Sequence, residues 1–437
     1  MRWNAVETAG WGRVLRNEGP VARPERASAV AAIVAEEPAP AMGNCRSYGD
    51  ACLNTEGASI DMTRLDRILS FDPETGLLEV EAGATIGALQ RLFAPKGWLP
   101  PVMPGTGFAT VGGCIAQDVH GKNHHGAGSF GNHVEELTLL TVKGKKVISA
   151  TKQAALFKAT LGGLGQTGVI LQAKIRMLRA KGDMIVLTER RISDFDEFLT
   201  RLDAADATYT VGWIDATATG ASLGRGILEE GETGSGLVPR PKRSKRVPMD
   251  APAATLSNPV VKAFNAAYWR RVPTQGRSSC KPIEAFFFPL DKIHDWNRLY
   301  GKAGFHQFQC VVPVGAADAL RAMIEKIAHA RLASPLAVLK RMGPGRGGPM
   351  SFPMEGYTLA VDFPNRGHAE RLIRQLNEMT ADAGGRIYFA KDALATPDMI
   401  DAMYPERAAW AKTVNAADPE RAFETDLVRR LDLRRPS

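Results

Sequence analysis

The sequence predicts an α+β protein of two domains, and three observations carry that reading. At 437 residues the chain exceeds what one compact core accommodates, since domains run to roughly 100–200 residues. Up to about residue 182, short strands are interrupted by helices and glycine-rich loops, without the regular β-α alternation of a parallel sheet. From 305 to 392 the pattern runs strand, helix, strand, strand, helix, strand, the ferredoxin-like order with an antiparallel sheet backed by helices.

The elements follow in order. "RPERASAVAAIVAEEP" (23–38) has helical spacing and closes on proline, and "PAPAMGNCRSYGDACLN" (38–54) turns into a glycine-containing loop. "GLLEVEAGATIGALQRLFAPKG" (76–97) gives a strand, a turn at Gly83, a cap at Thr85 and a short helix. "LTLLTVKGKKVIS" (137–149) reads as a hairpin about Lys143-Gly144, and "FKATLGGLGQTGVILQAKIRML" (157–178) as a glycine-rich turn leading into a long strand. Residues 1–182 form the first domain and 183–385 the second, with 220–280, rich in Gly, Pro, Ser and Lys/Arg, as a flexible insertion or lid. In the second domain, "FHQFQCVVP" (305–313), "PLAVLKRM" (335–342), "GYTLAVDFP" (356–364) and "RIYFAKD" (386–392) are strands. "GAADALRAMIEKIAHARL" (315–332) and "GHAERLIRQLNEMTADAGG" (367–385) are amphipathic helices, and no sequence repeat is apparent.

Composition removes several functional classes. With 44% hydrophobic and 23% charged residues the chain is ordinary for a globular protein, and no apolar run approaches the roughly 18 residues of a membrane span. "ASAVAAIVA" (27–35) meets Glu36 and Glu37 at once and reads as a buried helix, and the first residues carry no signal-peptide core. Cysteines at 45, 52, 114, 280 and 310 form no C-x-x-C pair, which speaks against a zinc knuckle or disulfide framework and for a reducing, cytoplasmic setting. Part of the net charge of +8 sits in "PRPKRSKR" (239–246), a solvated loop or an attractor for an anionic membrane surface or phosphorylated substrate; no nucleic-acid module accompanies it.

Chemistry concentrates in three glycine loops, "GNCRSYGD" (43–50), "PGTGFATVGGCIAQDVHGKNHHGAGSFGN" (104–132) and "LGGLGQTGV" (161–169). Glycine lets backbone N–H groups approach a ligand closely and so builds anion-holding concavities. No nicotinamide-type G-x-G-x-x-G setting and no G-x-x-x-x-G-K-[ST] loop occurs. The loops alone leave two readings open, an extended dinucleotide held from several sides or structural turns. Four of the eight histidines, His120, His124, His125 and His133, crowd the second loop. Metal ligation would need convergent imidazoles and acceptors behind them.

The strings "RSYGD", "PGTGFATVGGCIAQDVHGKNHHGAGSFGNHV" and "GGLGQTGVI" stand in the order and spacing of the vanillyl-alcohol oxidase-type (PCMH-type) FAD-binding family. "PLDKIHDWNRLYGKAGFHQFQCVVP" (289–313), "GRIYFAKDA" (385–393), "AMYPERAAW" (402–410) and "DPERAFETDLVRRL" (418–431) extend the resemblance, most closely to its decaprenylphosphoryl-β-D-ribose 2′-oxidases. The resemblance implies a two-domain fold, with 1–182 completed by 386–437 as the FAD domain and 183–385 as the substrate domain. It implies that the second loop passes under a flavin, with no metal, and that His120 enters the active site while His124, His125 and His133 make structural hydrogen bonds.

Residue by residue, the resemblance implies FAD contacts from Arg46, Ser47, Tyr48 and Gly49, from Gly105, Thr106, Thr110, Gly112, Gly113, Ala116 and His120, and from Gly165, Thr167, Gly168, Ile170 and Tyr388. Tyr48 replaces the histidine that bonds covalently to the flavin in some relatives, which implies non-covalent FAD. Gln307 and Gln309 share one strand face, and two amides there either face solvent or bind something. By resemblance they face flavin and sugar, with Lys340 and Trp213 beside them. Lys391 is expected to place a cation near the flavin, and Tyr48 or His120 to handle the hydroxyl proton. Phe287, Thr358 and Ala360 depart from the family's tyrosine, asparagine and cysteine; Phe287 and Thr358 are expected to line the substrate site with contacts to sugar or phosphate that differ from the family's.

The implied activity is oxidation of the 2′-hydroxyl of a polyprenylphosphoryl ribose, followed by a separate NAD(P)H-dependent reductase that completes epimerisation to an arabinose donor. Peripheral contact with the inner face of a membrane accompanies such a substrate. The competing expectation is an FAD oxidase or dehydrogenase of a free sugar or alditol.

Overall fold

The computed structural model describes residues 3–236 and 244–436, so residues 239–243 of the basic run lie outside the described residues. In the N-terminal part, strands Asn4–Ala9, Arg16–Ala22, Ser59–Asp61 and Ala41–Met42 form a four-stranded sheet in that order. A second, antiparallel sheet runs Ile68–Phe71, Leu77–Glu81, Val169–Arg176, Val134–Thr141, Gly144–Ser149. The expected hairpin is the last pair, with Thr141 opposite Gly144, whose φ of +100° suits a residue without Cβ. Helix Ile86–Phe93 starts where expected: the Thr85 hydroxyl accepts from the Ala88 amide at 3.3 Å.

The second part is one eight-stranded antiparallel sheet. Its order is Arg277–Pro282, Met184–Ile192, Gly226–Gly234, Tyr209–Ile214, Ala337–Met342, Gly356–Pro364, Phe305–Val312, Arg386–Ile387. The last four are the expected ferredoxin-like unit, with crossover helices Ala317–Ala330 and Ala369–Asp382. The first four repeat its order, with helices Phe195–Asp203 and Asn258–Arg270 in the corresponding places in the chain. The sheet is therefore a structural duplication, two β-α-β-β-α-β units joined back to back where Gly212 pairs with Leu339 and Trp213 with Val338.

Three expectations are corrected. Residues 220–280 are not one insertion, because Gly226–Gly234 is an inner strand and Arg277–Pro282 an edge strand; only the stretch between them is extra to the sheet. The strand expected over 386–392 ends at Ile387. The Tyr388 carbonyl then takes the amides of Lys391 and Asp392 at 2.8 and 3.0 Å, a turn that ends the pairing. A repeat invisible in sequence is present in structure.

One sheet face is covered by helices Phe195–Asp203, Ala317–Ala330 and Ala369–Asp382, whose Phe198, Leu320, Met323, Ile324, Leu372 and Leu376 pack on Ile214, Phe308, Cys310, Leu339, Leu359 and Val361. The alternate residues of those strands point to the other face, toward the N-terminal part. The chain then returns to the N-terminal part through helices Pro397–Met403, Arg407–Ala417 and Asp426–Arg430. Trp410 donates to the Ala159 carbonyl at 3.1 Å, and the fully buried Asp418–Arg434 pair, 2.9 Å apart, ties the tail down.

Candidate active site

Strand register builds the floor of the site. Trp213, Val338, Ala360 and Gln309 are successive cross-strand neighbours and form one row on the face opposite the helices. The adjacent row places Lys340 beside Thr358, and on the far side Gln307 lies opposite Asp362. The His120 ring from the second glycine loop reaches this floor: its Nε2 lies 2.9 Å from the Gln309 amide nitrogen and its Nδ1 3.1 Å from Lys340 Nζ. Behind it the Tyr388 ring lies 5.5 Å away and stacks on Phe352 at 4.6 Å.

The turn after Ile387 delivers Lys391, whose Nζ stands 3.6 Å over the Tyr48 ring. Tyr48 packs edge-on against Phe305, and its hydroxyl meets the Gln307 amide. Gln307 in turn donates to Asp362, whose other oxygen accepts from Tyr300 at 3.0 Å. Asp362 is fully buried, and its backbone is pinned on both sides by Ser334 and Leu336.

Burial sets the charges here. It pushes Lys340 down to about 7, helped by repulsion from Lys122 and Lys391, and Lys391 down to about 7 against the pull of Asp362. Lys122 falls to about 8, mostly by burial, while donating to the Phe286 carbonyl at 2.6 Å. Burial and then Lys340 hold His120 well below the usual imidazole range, so it is neutral at pH 7. Asp362 rises to about 6 through burial. Three lysines against one carboxyl make the site electropositive and suited to anions.

The first glycine loop forms an anion cradle. The successive amides of Asn44, Cys45, Arg46 and Ser47 have no acceptor among the described residues, and Cys45 adopts a left-handed φ of 48°. Consecutive free N–H groups around such a residue form a nest for phosphate oxygens. Arg46 is stacked on Trp11 at 4.3 Å and Phe108 at 5.1 Å, with its Nε buried and unpartnered. A Cβ at Gly105 or Gly165 would meet nothing within 4 Å, so both face open space. These features fit a diphosphate-containing ligand running along the loops.

Other expected cofactor residues have structural duties. A Cβ at Gly49 would collide with the Asp392 carbonyl, so this glycine seats the first loop against the Lys391 turn. Thr110 caps helix Val111–Ala116 through Gly113, the Gly112 amide bonds Ala82, and Thr106 accepts from Phe108. Ala116 is half-buried and its carbonyl takes the Leu164 amide. Thr167 is fully buried against Thr160, Gly168 abuts the Leu140 carbonyl and Ile170 lies in the core.

The structure brings Tyr48, His120, Gln307, Gln309, Lys340, Thr358 and Lys391 to one place. It does not bring Phe287, which packs on Tyr209 at 4.8 Å, 1% exposed, and nears the site only through Lys122. Trp213 closes one end, its Nε1 donating to Pro335. His125 and His133 donate to the Ala207 and Ala127 carbonyls, and His124 accepts from Gly343. Among the described residues no group of three or more His, Cys, Asp or Glu is arranged for a metal. Sequence reasoning missed Asp362, although a lone acid two residues beyond Ala360 on the same strand face was a legible signal.

Comparison with known proteins agrees with this geometry. A family model described as an FAD binding domain matches residues 20–149, the stretch holding the cradle and His120. Decaprenylphosphoryl-β-D-ribose oxidase of Mycolicibacterium smegmatis is 37% identical over 90% of this chain and 89% of its own. An uncharacterised protein of Streptomyces coelicolor is 33% identical over 80% of this chain and all of its own. D-arabinono-1,4-lactone oxidase of Yarrowia lipolytica is 26% identical over 36% of this chain and 32% of its own. The N-terminal part binds FAD, and the chain is an FAD-dependent oxidoreductase belonging to the decaprenylphosphoryl-β-D-ribose oxidase family.

Proposed function

We propose that the protein oxidises the 2′-hydroxyl of a polyprenylphosphoryl-β-D-ribose to the 2′-keto sugar, the first half of an epimerisation to an arabinose donor. The observation that carries this reading is His120 held between Lys340 and Gln309 on the floor of an electropositive site. FAD, when bound, supplies the two-electron acceptor for the C2′ hydrogen. The loop amides of 44–47 and the turns at Gly105 and Gly165 hold its diphosphate and flank. With Tyr48 where a covalent link would form, attachment is non-covalent.

The residues around the sugar take up the proton and the charge. With Gln309 donating to Nε2, the imidazole proton sits on Nδ1 and points at the Lys340 amine, which accepts it. The Lys340–His120 pair forms the base: with the 2′-hydroxyl in place of Gln309 at Nε2, that nitrogen takes the hydroxyl proton as Nδ1 passes its own to the Lys340 amine. Lys391 holds a positive charge over Tyr48, and Gln307, oriented by Asp362, positions the sugar. Residues 1–182 with 386–437 serve as the cofactor domain and 183–385 as the substrate domain, each reaching into this one site.

A separate NAD(P)H-dependent chain reduces the keto sugar, and the enzyme works peripherally at the inner face of a membrane. No helix among the described residues is long and apolar enough to cross a bilayer. The test is an anaerobic visible spectrum before and after a short-chain polyprenylphosphoryl ribose is added. Bleaching of the flavin band is expected. A band that persists with it, yet bleaches with a free sugar or alditol, overturns the substrate and retains the chemistry.

A further inference from the structure

Helix Asn258–Arg270, "NPVVKAFNAAYWR", is apolar on two opposite faces. Its inner face is spent on the protein: Val261 is 1% exposed, Asn265 donates to Asp215 at 2.7 Å and Trp269 donates to the Ile192 carbonyl at 2.8 Å. Val260, Ala263, Phe264 and Ala267, spaced i, i+3, i+4, i+7, form the other stripe and are all exposed, Val260 at 49% and Phe264 at 50%. A surface helix ordinarily turns a polar face to water, and this one turns an apolar stripe there as well.

Charge identifies what meets the stripe. Lys262 and Arg270 lie along one flank and are exposed, and the helix holds no acid. Residues 237–277 contain 9 basic residues and 1 acidic one, so the remaining 396 residues carry 46 of each sign and this stretch holds the whole net charge of +8. Arg271 and Arg277 are spent on Glu189 and Arg246 on Asp295, so the cations the helix itself offers to water are Lys262 and Arg270. An exposed apolar stripe flanked by exposed cations, with no acid on the helix, is the pattern of a helix lying in an anionic lipid interface. The stripe also leads to the site, because Phe264 stacks on Tyr268 at 5.8 Å and Tyr268 meets Trp213 edge-on at 4.7 Å.

We propose that the outer face of helix Asn258–Arg270 is a docking surface for an anionic phospholipid bilayer, seating the lipid end of the substrate beside Trp213. This deepens the reading of a lipid-linked substrate and rests on it for the second clause only.

The test is flotation of the FAD-loaded enzyme with vesicles of phosphatidylcholine and phosphatidylglycerol in equal parts, against vesicles of phosphatidylcholine alone. Val260→Glu with Ala263→Glu alters only exposed side chains, and flavin content verifies its fold. This variant should bind the anionic vesicles about tenfold more weakly, and Lys262→Glu with Arg270→Glu should remove most of the preference for them over phosphatidylcholine. Both variants should turn over a soluble short-chain polyprenylphosphoryl ribose as the parent does. Flotation of either variant like the parent, or no flotation of the parent, overturns the docking surface. So does a parent dimer that the first variant converts to monomer without change in flotation. Variant-sensitive flotation without turnover of that substrate by any form rejects the proposed function and leaves the docking surface standing.

Discussion

Lys340 Nζ lies 3.1 Å from Nδ1 of His120, a contact that joins the open face of the sheet to the second glycine loop. Neither residue has its ordinary proton affinity, since burial lowers both and each charge would raise the cost of the other. The proposed mechanism has them act as a pair, and the pair must be tested as one.

Replacement of His120 by Ala or Lys340 by Met should each slow anaerobic flavin bleaching by about 10²–10⁴-fold, the usual worth of a positioned base. The double variant should be little slower than the worse single one, because groups acting as a unit are non-additive. Losses that multiply would show two independent roles.

The pH profile of that step should be a narrow bell centred near 7. The Lys340 amine must be neutral to accept a proton, so the rate rises as pH passes its value of about 7. Lys391 must be charged, so the rate falls as pH rises through its own value of about 7. Lys391 faces Tyr48, Asp362, Lys340 and His120; the Asp362 carboxylate and the face of the Tyr48 ring favour its charged form, and Lys340 opposes it. Asp362→Asn should therefore move the alkaline limb to lower pH and, by relieving the repulsion Lys391 exerts on Lys340, move the acid limb upward, so that the bell narrows and falls, measured by stopped-flow across pH.

Lys391→Ala should retain FAD, read from its visible absorbance, and lose about 10²–10³-fold in the bleaching rate, as when a fixed stabilising charge is removed. Unchanged turnover would remove Lys391 from the chemistry.

Acid precipitation of the holoenzyme should leave all of the yellow colour in the supernatant, as Tyr48 offers no covalent link. Colour in the pellet would show an attached flavin.

Asp418→Ala should destabilise the protein by about 3–5 kcal/mol in urea melts, because Arg434 would remain buried without its partner. Asp418 also accepts from the Ala422 and Phe423 amides, and Phe423 receives Gln166 through its carbonyl at 2.8 Å. The D-P-x-x-x-F string is thus a clasp holding the tail to the N-terminal part.

What the sequence disclosed followed the strength of its periodicity. The unit from Phe305 to Ile387 was legible because its helices have one apolar face and its strands are bounded by Gly and Pro. Its twin was not. Strand Arg277–Pro282, "RSSCKP", shows no apolar alternation, and helix Asn258–Arg270 is apolar on two faces, so neither gave a periodic signal. His120, Gln309 and Lys391 lie in the motif strings and Lys340 was placed by the family resemblance alone, and neither source carries geometry. They did not show that Tyr388 backs His120, that Phe287 sits in the core, or that Gln307 is oriented by Asp362.

The duplicated sheet separates two evolutionary demands within one scaffold. The copy containing Gln307, Gln309, Lys340, Thr358 and Asp362 lines nearly the whole floor of the candidate site, whereas the copy containing Met184–Ile192 contributes Trp213 at the seam. Relieved of chemistry, that copy is free to vary its surface, and substrates with different tails can be accommodated by divergence in one half while the other preserves the reaction.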